Sequence, residues 1–448
     1  MLNTSELIRM GVMTAMSEKQ FFEKEIAAWK LSNARQQQIT GEKYYRYQHD
    51  ILKRQRTVIG QSGKLEVVEN LPNNRLIDNQ YTKMVDQKTN YLLGNPMVIK
   101  TENEAYDDAL KTVFNKKFHR MFSNLGEDSL NGGISWLYVY YDDKGRFRFK
   151  RFAPYEILPF WKDDDHTELD VAIRVYGVEA YEGHDLKIIE KVEVYRAEGI
   201  ERYTLDGDTL YSDGELTPYM MTSSNGAITP YNWAKIPLIA FKYNDEEIPL
   251  ISKVKSLQDA LNETISDFQN NIQEDSRNTI LVIKNYDGQN LGEFRRNLAT
   301  YGAVKVKTVD GADGGVDALQ VNVNADNYKA VQECLKQAII DNAMGFDAKV
   351  LKSGSPNQMN IKSIFTDIDL DANGMETEFQ ASLEDLMTFI NAHLANTGYG
   401  DFTGEDVEFI FNRDMLLDED SIITSAQKSV GIIVCIMGLK PSPSRRSL

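Results

Sequence analysis

The residues whose types and spacing could do chemistry fall into four groups. Gly60-Gln61-Ser62-Gly63-Lys64 has the glycines and lysine of a phosphate loop. The Walker arrangement also needs a glycine five residues before the Gly-Lys pair and a hydroxyl residue after it to hold Mg²⁺. Those positions are Val58 and Leu65, so the segment reads as a surface turn and no nucleotide site is expected. Asp369-Leu370-Asp371-Ala372-Asn373-Gly374 matches the first half of a calcium loop, with oxygens at alternate residues and glycine sixth. Its twelfth position is Gln380, a neutral amide that cannot give the bidentate carboxylate. The apolar positions Ile364, Phe365, Ile368, Met375 and Phe379 run straight through it, as in a long helix. His49, His119, His166, His184 and His393 contain no i, i+4 pair and have no cysteine nearby, which leaves zinc and a histidine-centred hydrolase without support. Asp163-Asp164-Asp165-His166 could hold a divalent ion, but between β-textured segments it reads as a solvated turn. No catalytic residue, cofactor or metal site is therefore expected.

The elements around these residues suit a large, folded, acidic protein. A chain of 448 residues points to two to four domains. Hydrophobic residues make up 42% and charged residues 26%, which excludes a disordered or disulfide-scaffold chain. The net charge of −17 argues against a surface that grips nucleic acid through its phosphates, while leaving DNA free to slide past. Cys334 and Cys435 cannot form a framework, nothing near Met1 reads as a secretory signal, and the longest apolar run, 430–439, is half a bilayer span. The expected location is the cytoplasm, with no membrane span.

Residues 1–60 read as a peripheral helical arm, and Ile77, Tyr81, Met84, Val85, Lys88 and Leu92 as a helix over 76–93, stopped by Gly94-Asn95-Pro96. From Ile134 to Ile239 the runs Trp136–Tyr141, Phe147–Phe152, Val171–Val178 and Val192–Arg196 predict a mostly antiparallel β region. Val254, Leu257, Leu261, Ile265, Phe268 and Ile272, at steps of three and four, give a single stripe on a long helix whose other face is Asp, Glu, Asn and Gln. A short β-like insert follows, then a second amphipathic helix, Ala325–Met344, carrying Val331 and Leu335. Two helices thus bracket a β module and would project it from the body. Gly345–Asn360 lacks periodicity and predicts a loop. Met375, Phe379, Leu383, Leu386, Met387, Ile390 and Leu394 predict another long helix, and Val407–Phe411 a strand.

Two segments carry a family resemblance. Leu76-Ile77-Asp78-Asn79-Gln80 through Tyr91-Leu92-Leu93-Gly94-Asn95-Pro96 resembles the helix and Gly-x-Pro stop of portal proteins of tailed bacteriophages, of the type common in siphophages of Gram-positive hosts. Ile236–Asn244, Lys253–Asn262, Ser266–Asn270 and Thr279–Lys284 resemble that family's strand, first channel helix and clip. Asn360–Phe365 with Asp369–Asn373 is a weaker third match. Their order spans residues 76 to about 415.

The resemblance implies an α+β portal fold with a mixed α/β wing over 1–250, stem helix 1 over 251–279 and a small clip over 280–323. Stem helix 2 follows over 324–344, a tunnel loop over 345–360, a long wing helix and strand over 361–415, and a crown over 416–448. The stem would pack through Val254, Leu257, Leu261, Ile265, Phe268, Ile272, Val331 and Leu335. The chain would form a homo-oligomeric ring, a dodecamer, at one capsid vertex of the virion, assembled in the host cytoplasm. Double-stranded DNA would pass through its acidic channel during packaging and ejection. The terminase large subunit and the head-to-tail connector would dock on the clip, and capsid and scaffolding proteins on the wing. The clip cations Lys284, Arg295, Arg296, Lys305 and Lys307 mark it as basic within an acidic chain, suited to an acidic partner. Lys349 and Lys352, with Ser353 and Ser355, would make the tunnel loop a weak collar for the phosphate backbone. After Gln427–Gly431 the family continues as a longer acidic crown, whereas this chain ends Pro441-Ser-Pro-Ser-Arg-Arg-Ser-Leu448; an atypical or truncated crown, from a shifted or truncated reading frame, is expected. Another ring-forming adaptor or baseplate protein remains the alternative at this point, and a packaging ATPase is disfavoured by the missing phosphate loop.

Overall fold

The computed structural model describes residues 17–413, except 61, 62, 70, 225, 226, 276–278, 286, 288, 289, 302, 304, 309, 310, 312, 321–324 and 348–357. Helices α1 (Glu18–Leu31) and α2 (Asn33–Tyr45) meet at Ser32, whose N–H closes the first on Trp29 and whose hydroxyl caps the second at Arg35. This arm is not peripheral: Phe22, Ile26 and Tyr44 are each 1% exposed. Strands β1 (Thr57–Ile59) and β2 (Leu65–Val67) form a hairpin, and Gly60 N–H to Lys64 C=O, 2.8 Å, closes its turn. Of the segment with the phosphate-loop glycines, Gly60, Gly63 and Lys64 are described, and Gly63 N–H bonds to Gly60 C=O at 3.0 Å; Gln61 and Ser62 lie outside the described residues.

Next come α3 (Gln80–Leu93), β3 (Val98–Lys100), α4 (Glu104–Val113) and α5 (Lys116–Gly132). Asn103 and Asn115 each accept two backbone N–H groups and so open the last two helices. The expected β region then appears as β4 (Ile134–Tyr141), β5 (Phe147–Phe152), β6 (Ile157–Trp161), β7 (Leu169–Glu182), β8 (Asp185–Arg196), β9 (Gly199–Asp206), β10 (Thr209–Ser212), β11 (Met220–Ser224), β12 (Ala227–Tyr231) and β13 (Leu238–Lys242). It makes an antiparallel sheet of order β10-β9-β8-β7-β6, another of order β13-β4-β5, and the hairpin β11-β12. The two-residue period of a strand sorts the side chains. Val171, Ile173 and Val175 face Phe22 and Ile26 of α1, while Ala172 faces Trp136 and Phe152 of the smaller sheet.

The last part holds α6 (Leu250–Asp275), β14 (Thr279–Lys284), α7 (Leu291–Tyr301), β15 (Gly315–Gln320), α8 (Ala325–Asn342), α9 (Gln358–Asn396) and β16 (Glu408–Ile410). β16 pairs antiparallel with β3. Phe365, Ile368, Met375, Phe379, Leu383, Leu386, Ile390 and Leu394 of α9 are all buried in the main core, as their spacing requires. With 39 residues at ~1.5 Å each, α9 is the longest of the described helices. It runs unbroken through Asp369–Gly374, so the calcium-loop look-alike is helical; Asp369 takes a hydrogen bond from Tyr91 and Asp371 one from Tyr243. The Asp163–His166 segment is a turn between β6 and β7, where Asp163 accepts from the N–H groups of Thr167 and Glu168. No described helix is long and apolar enough to cross a membrane.

Two further expectations differ from the structure. The insert between α6 and α8 is not only β: it contains the eleven-residue helix α7, whose Phe294 is 2% exposed. The helix expected from residue 76 starts at Gln80, with Asn79 as its cap. The reason lies in what residues 74–79 do instead.

Candidate functional site

Helices α6 and α8 lie side by side and antiparallel, and both lead into the β14-β15 hairpin, in register from Thr279↔Gln320 to Lys284↔Gly315. Of the side chains expected along the seam, Val254 and Leu261 are fully buried, and Leu257, Ile265 and Leu335 pack on the core. The Phe268 ring meets Tyr328 at 4.9 Å, and Asn271 Nδ2 donates to the Tyr328 hydroxyl at 2.9 Å. Ile272 and Val331, each 47% exposed, lie outside the seam within one chain.

The polar face of α6 is not solvated. Gln258, Asn262, Ser266 and Asn270, one every four residues, are all 0% exposed. Together they bind the backbone of residues 74–81. Asn270 Oδ1 accepts from Asn74 N–H (2.8 Å), Ser266 Oγ from Leu76 (2.9 Å), and Asn262 Oδ1 from Asp78 (3.1 Å). Gln258 Oε1 accepts from Gln80 and Tyr81 (2.9 and 3.0 Å), and its Nε2 donates to Asp78 C=O (2.8 Å). The match is geometric: two residues of extended chain advance ~6.6 Å and four residues of helix ~6 Å. Residues 74–79 thus form a strap antiparallel to α6, with every second N–H satisfied by a helix side chain. A helix begun at residue 76 would forfeit those bonds. Lys336 on α8 pairs with Asp78 at 2.5 Å, so the strap holds both helices.

His49 closes one side of this ladder. Asn262 Oδ1 is occupied as an acceptor, so its Nδ2 donates to His49 Nδ1 (2.9 Å), and His49 Nε2–H donates to Tyr44 C=O (3.1 Å). The ring is neutral, and a second proton would set two donors against each other. Burial pushes its pKa below the ordinary value, against the raising effect of Asp259 and Asp50. The folded state then binds this proton less readily than the unfolded chain, so stability is lost as pH falls through the unfolded-state value of ~6.5. His393, stacked on Phe147 at 4.4 Å and also pushed down by burial, adds in the same direction. Denaturant titrations from pH 7.5 to 5 should show a loss that is smaller in His49→Gln; equal slopes in the two proteins would count against it.

The insert carries the expected cations. Lys284, Arg296, Lys305 and Lys307 are exposed, and Arg295 lies on α7. Lys307 pairs with Asp287 and its N–H binds Asn285 C=O at 2.8 Å. The segment is not basic, however. Its five cations stand against Asp287, Glu293, Asp310, Asp313 and Asp317, so it is neutral in a chain of −17. What sets it apart is the missing acidic excess. Lys349, Lys352, Ser353 and Ser355, and the crown over 416–448, lie outside the described residues. Among the described residues, no group of three or more His, Cys, Asp or Glu is placed to hold a metal ion.

The described chain is thus a helix pair strapped along its length, carrying an insert at one end and packed with sheets and the long helix α9. Residues 30–443 match the family model of phage portal proteins, SPP1 Gp6-like, and the chain belongs to that family. It is a ring-forming virion protein of the capsid vertex. Its relatives include the portal protein of Bacillus phage SPP1, 27% identical over 402 residues (88% of this chain, 77% of the relative), and that of Clostridium phage phiCD119, 25% identical over 431 residues (91% and 89%). Among solved structures, chains from the virion of a native gene transfer agent particle and from the neck of an empty particle match with TM-scores of 0.38 and 0.39. Each is 12% identical and covers 81% of this chain and 90% of the other.

Proposed function

We propose that the α6–α8 pair is the stem around a channel for double-stranded DNA, in a ring of twelve copies, and that the insert is the clip. The observation that carries this reading is the antiparallel helix pair leading into β14-β15, in a chain of the portal family. Residues 1–250 and 361–415 serve as the wing toward capsid and scaffolding proteins, the connection over 345–360, whose last three residues already belong to α9, as the tunnel loop, and 416–448 as the crown. Assembly takes place in the host cytoplasm, and the chain itself catalyses nothing. Net charge of −17 per copy keeps DNA from sticking, since each added lysine contact would increase salt-dependent grip.

The clip would bind the terminase large subunit and later the head-to-tail connector. Arg296→Glu with Lys305→Glu should weaken terminase binding to purified rings about tenfold, more at low than at high salt, with the subunit count unchanged. Binding that stays equal and salt-independent would remove the clip from this role. In the same assay series, Lys349→Glu with Lys352→Glu should leave rings intact and lower the DNA retained in particles. Normal packaging by those rings would remove the loop.

A further inference from the structure

Where α8 ends, Met344 takes a left-handed φ of 51° and Gly345 N–H bonds back to Ile340 C=O at 2.9 Å. The chain that leaves is held by α3. Phe346 N–H donates to Gln87 Oε1 and Gln87 Nε2 donates to Phe346 C=O, both at 3.0 Å, so one amide side chain grips both backbone groups of one residue. A Cβ at Gly345 would lie 2.6 Å from Met84 Sδ and 3.0 Å from Gln87 Oε1, so a side chain there would have to displace Met84 and crowd Gln87. Lys88 Nζ donates to Met344 C=O at 3.2 Å and to Asp371 of α9 at 2.6 Å. Tyr91 donates to Asp369, also on α9, at 2.5 Å, and its ring stacks on Phe365, which packs on Phe346 at 4.8 Å. Residues 84, 87, 88 and 91 follow the i, i+3, i+4, i+7 pattern of a single helix face. That one face grips both the segment leaving α8 and the helix that begins after the connection.

We propose that Gln87 and Lys88 are positioning residues that fix the root of the α8–α9 connection, Met344–Phe346, and tie it to α9. Its use in DNA passage rests on the function proposed above; the anchorage does not. Gln87 is the cleaner handle because both of its bonds go to one backbone residue. In the full-length assembled chain, Gln87→Met keeps the side-chain length and removes both bonds. Gln87→Glu keeps the acceptor for Phe346 N–H. Hydrogen exchange at the Phe346 amide should speed up roughly tenfold or more in Gln87→Met and clearly less in Gln87→Glu, with α5 and α6 unchanged in both. Unchanged exchange in Gln87→Met, or equal acceleration in both variants, overturns the anchorage. Accelerated exchange together with normal DNA retention supports the anchorage and counts instead against the channel role of the connection.

Discussion

Replacing Lys88 with methionine is expected to cost about 3–5 kcal/mol of stability, the range found when one partner of a buried ion pair is removed. The side chains of Lys88 and Asp371 are 3% and 8% exposed. Burial lowers the lysine pKa and Asp371 raises it in part, as expected for an ammonium whose water has been replaced by one carboxylate. Without the lysine, Asp371 keeps only the Tyr243 hydroxyl at 2.7 Å, in a core of Met84, Phe365 and Ile368. A carboxylate left so is strongly disfavoured. Replacing both partners, Lys88→Met with Asp371→Leu, should recover part of the loss, because no unpaired charge is left, while the Tyr243 hydroxyl and the Met344 C=O lose their partners. Denaturation at fixed protein concentration measures the cycle. A single substitution costing less than about 1 kcal/mol, or a double one as damaging as the single, would disprove the buried-pair account.

Asn262→Leu carries the second large effect, about 2–4 kcal/mol. Asn262 accepts from Asp78 N–H and Gln258 Nε2 and donates to His49 Nδ1. Leucine fills the space and strands a buried backbone donor and a buried imidazole acceptor, each costing about 1–3 kcal/mol with incomplete additivity. Ser266→Ala, which strands only Leu76 N–H, should cost about 1–2 kcal/mol. The ordering Asn262→Leu above Ser266→Ala is the diagnostic, and the exchange of amides 76–81 should rise with it. A Leu variant as stable as the parent would mean that the ladder contributes nothing net.

The stripes of α6 and α9 were legible because burial of a helix face repeats every three to four residues within one segment. The runs that became β7 and β8, Val171–Val178 and Val192–Arg196, were legible for a similarly local reason, their β-branched and aromatic texture. On the polar face of α6, Gln258, Asn262, Ser266 and Asn270 are uncharged and strictly four apart, with Asp259, Glu263 and Asp267 one position over. Separating amides from carboxylates on that face was the available signal. The helix α7 was missed because turn residues on both sides, Asp287-Gly288 and Asp310-Gly311, favoured a β reading of a short segment.

The sequence alone determined the family, through the order of its matching segments, and determined that the phosphate-loop and calcium-loop look-alikes lack the residues their chemistry needs. It also set which helix faces are apolar. Only the tertiary structure decided that residues 74–79 run as a strap, that Lys88 meets Asp371 across 283 positions, and that one face of α3 grips both sides of the α8–α9 connection. Periodicity reports the burial of a face but not what covers it. A polar side chain's partner depends on which distant backbone the fold brings within about 3 Å, and no local pattern encodes that.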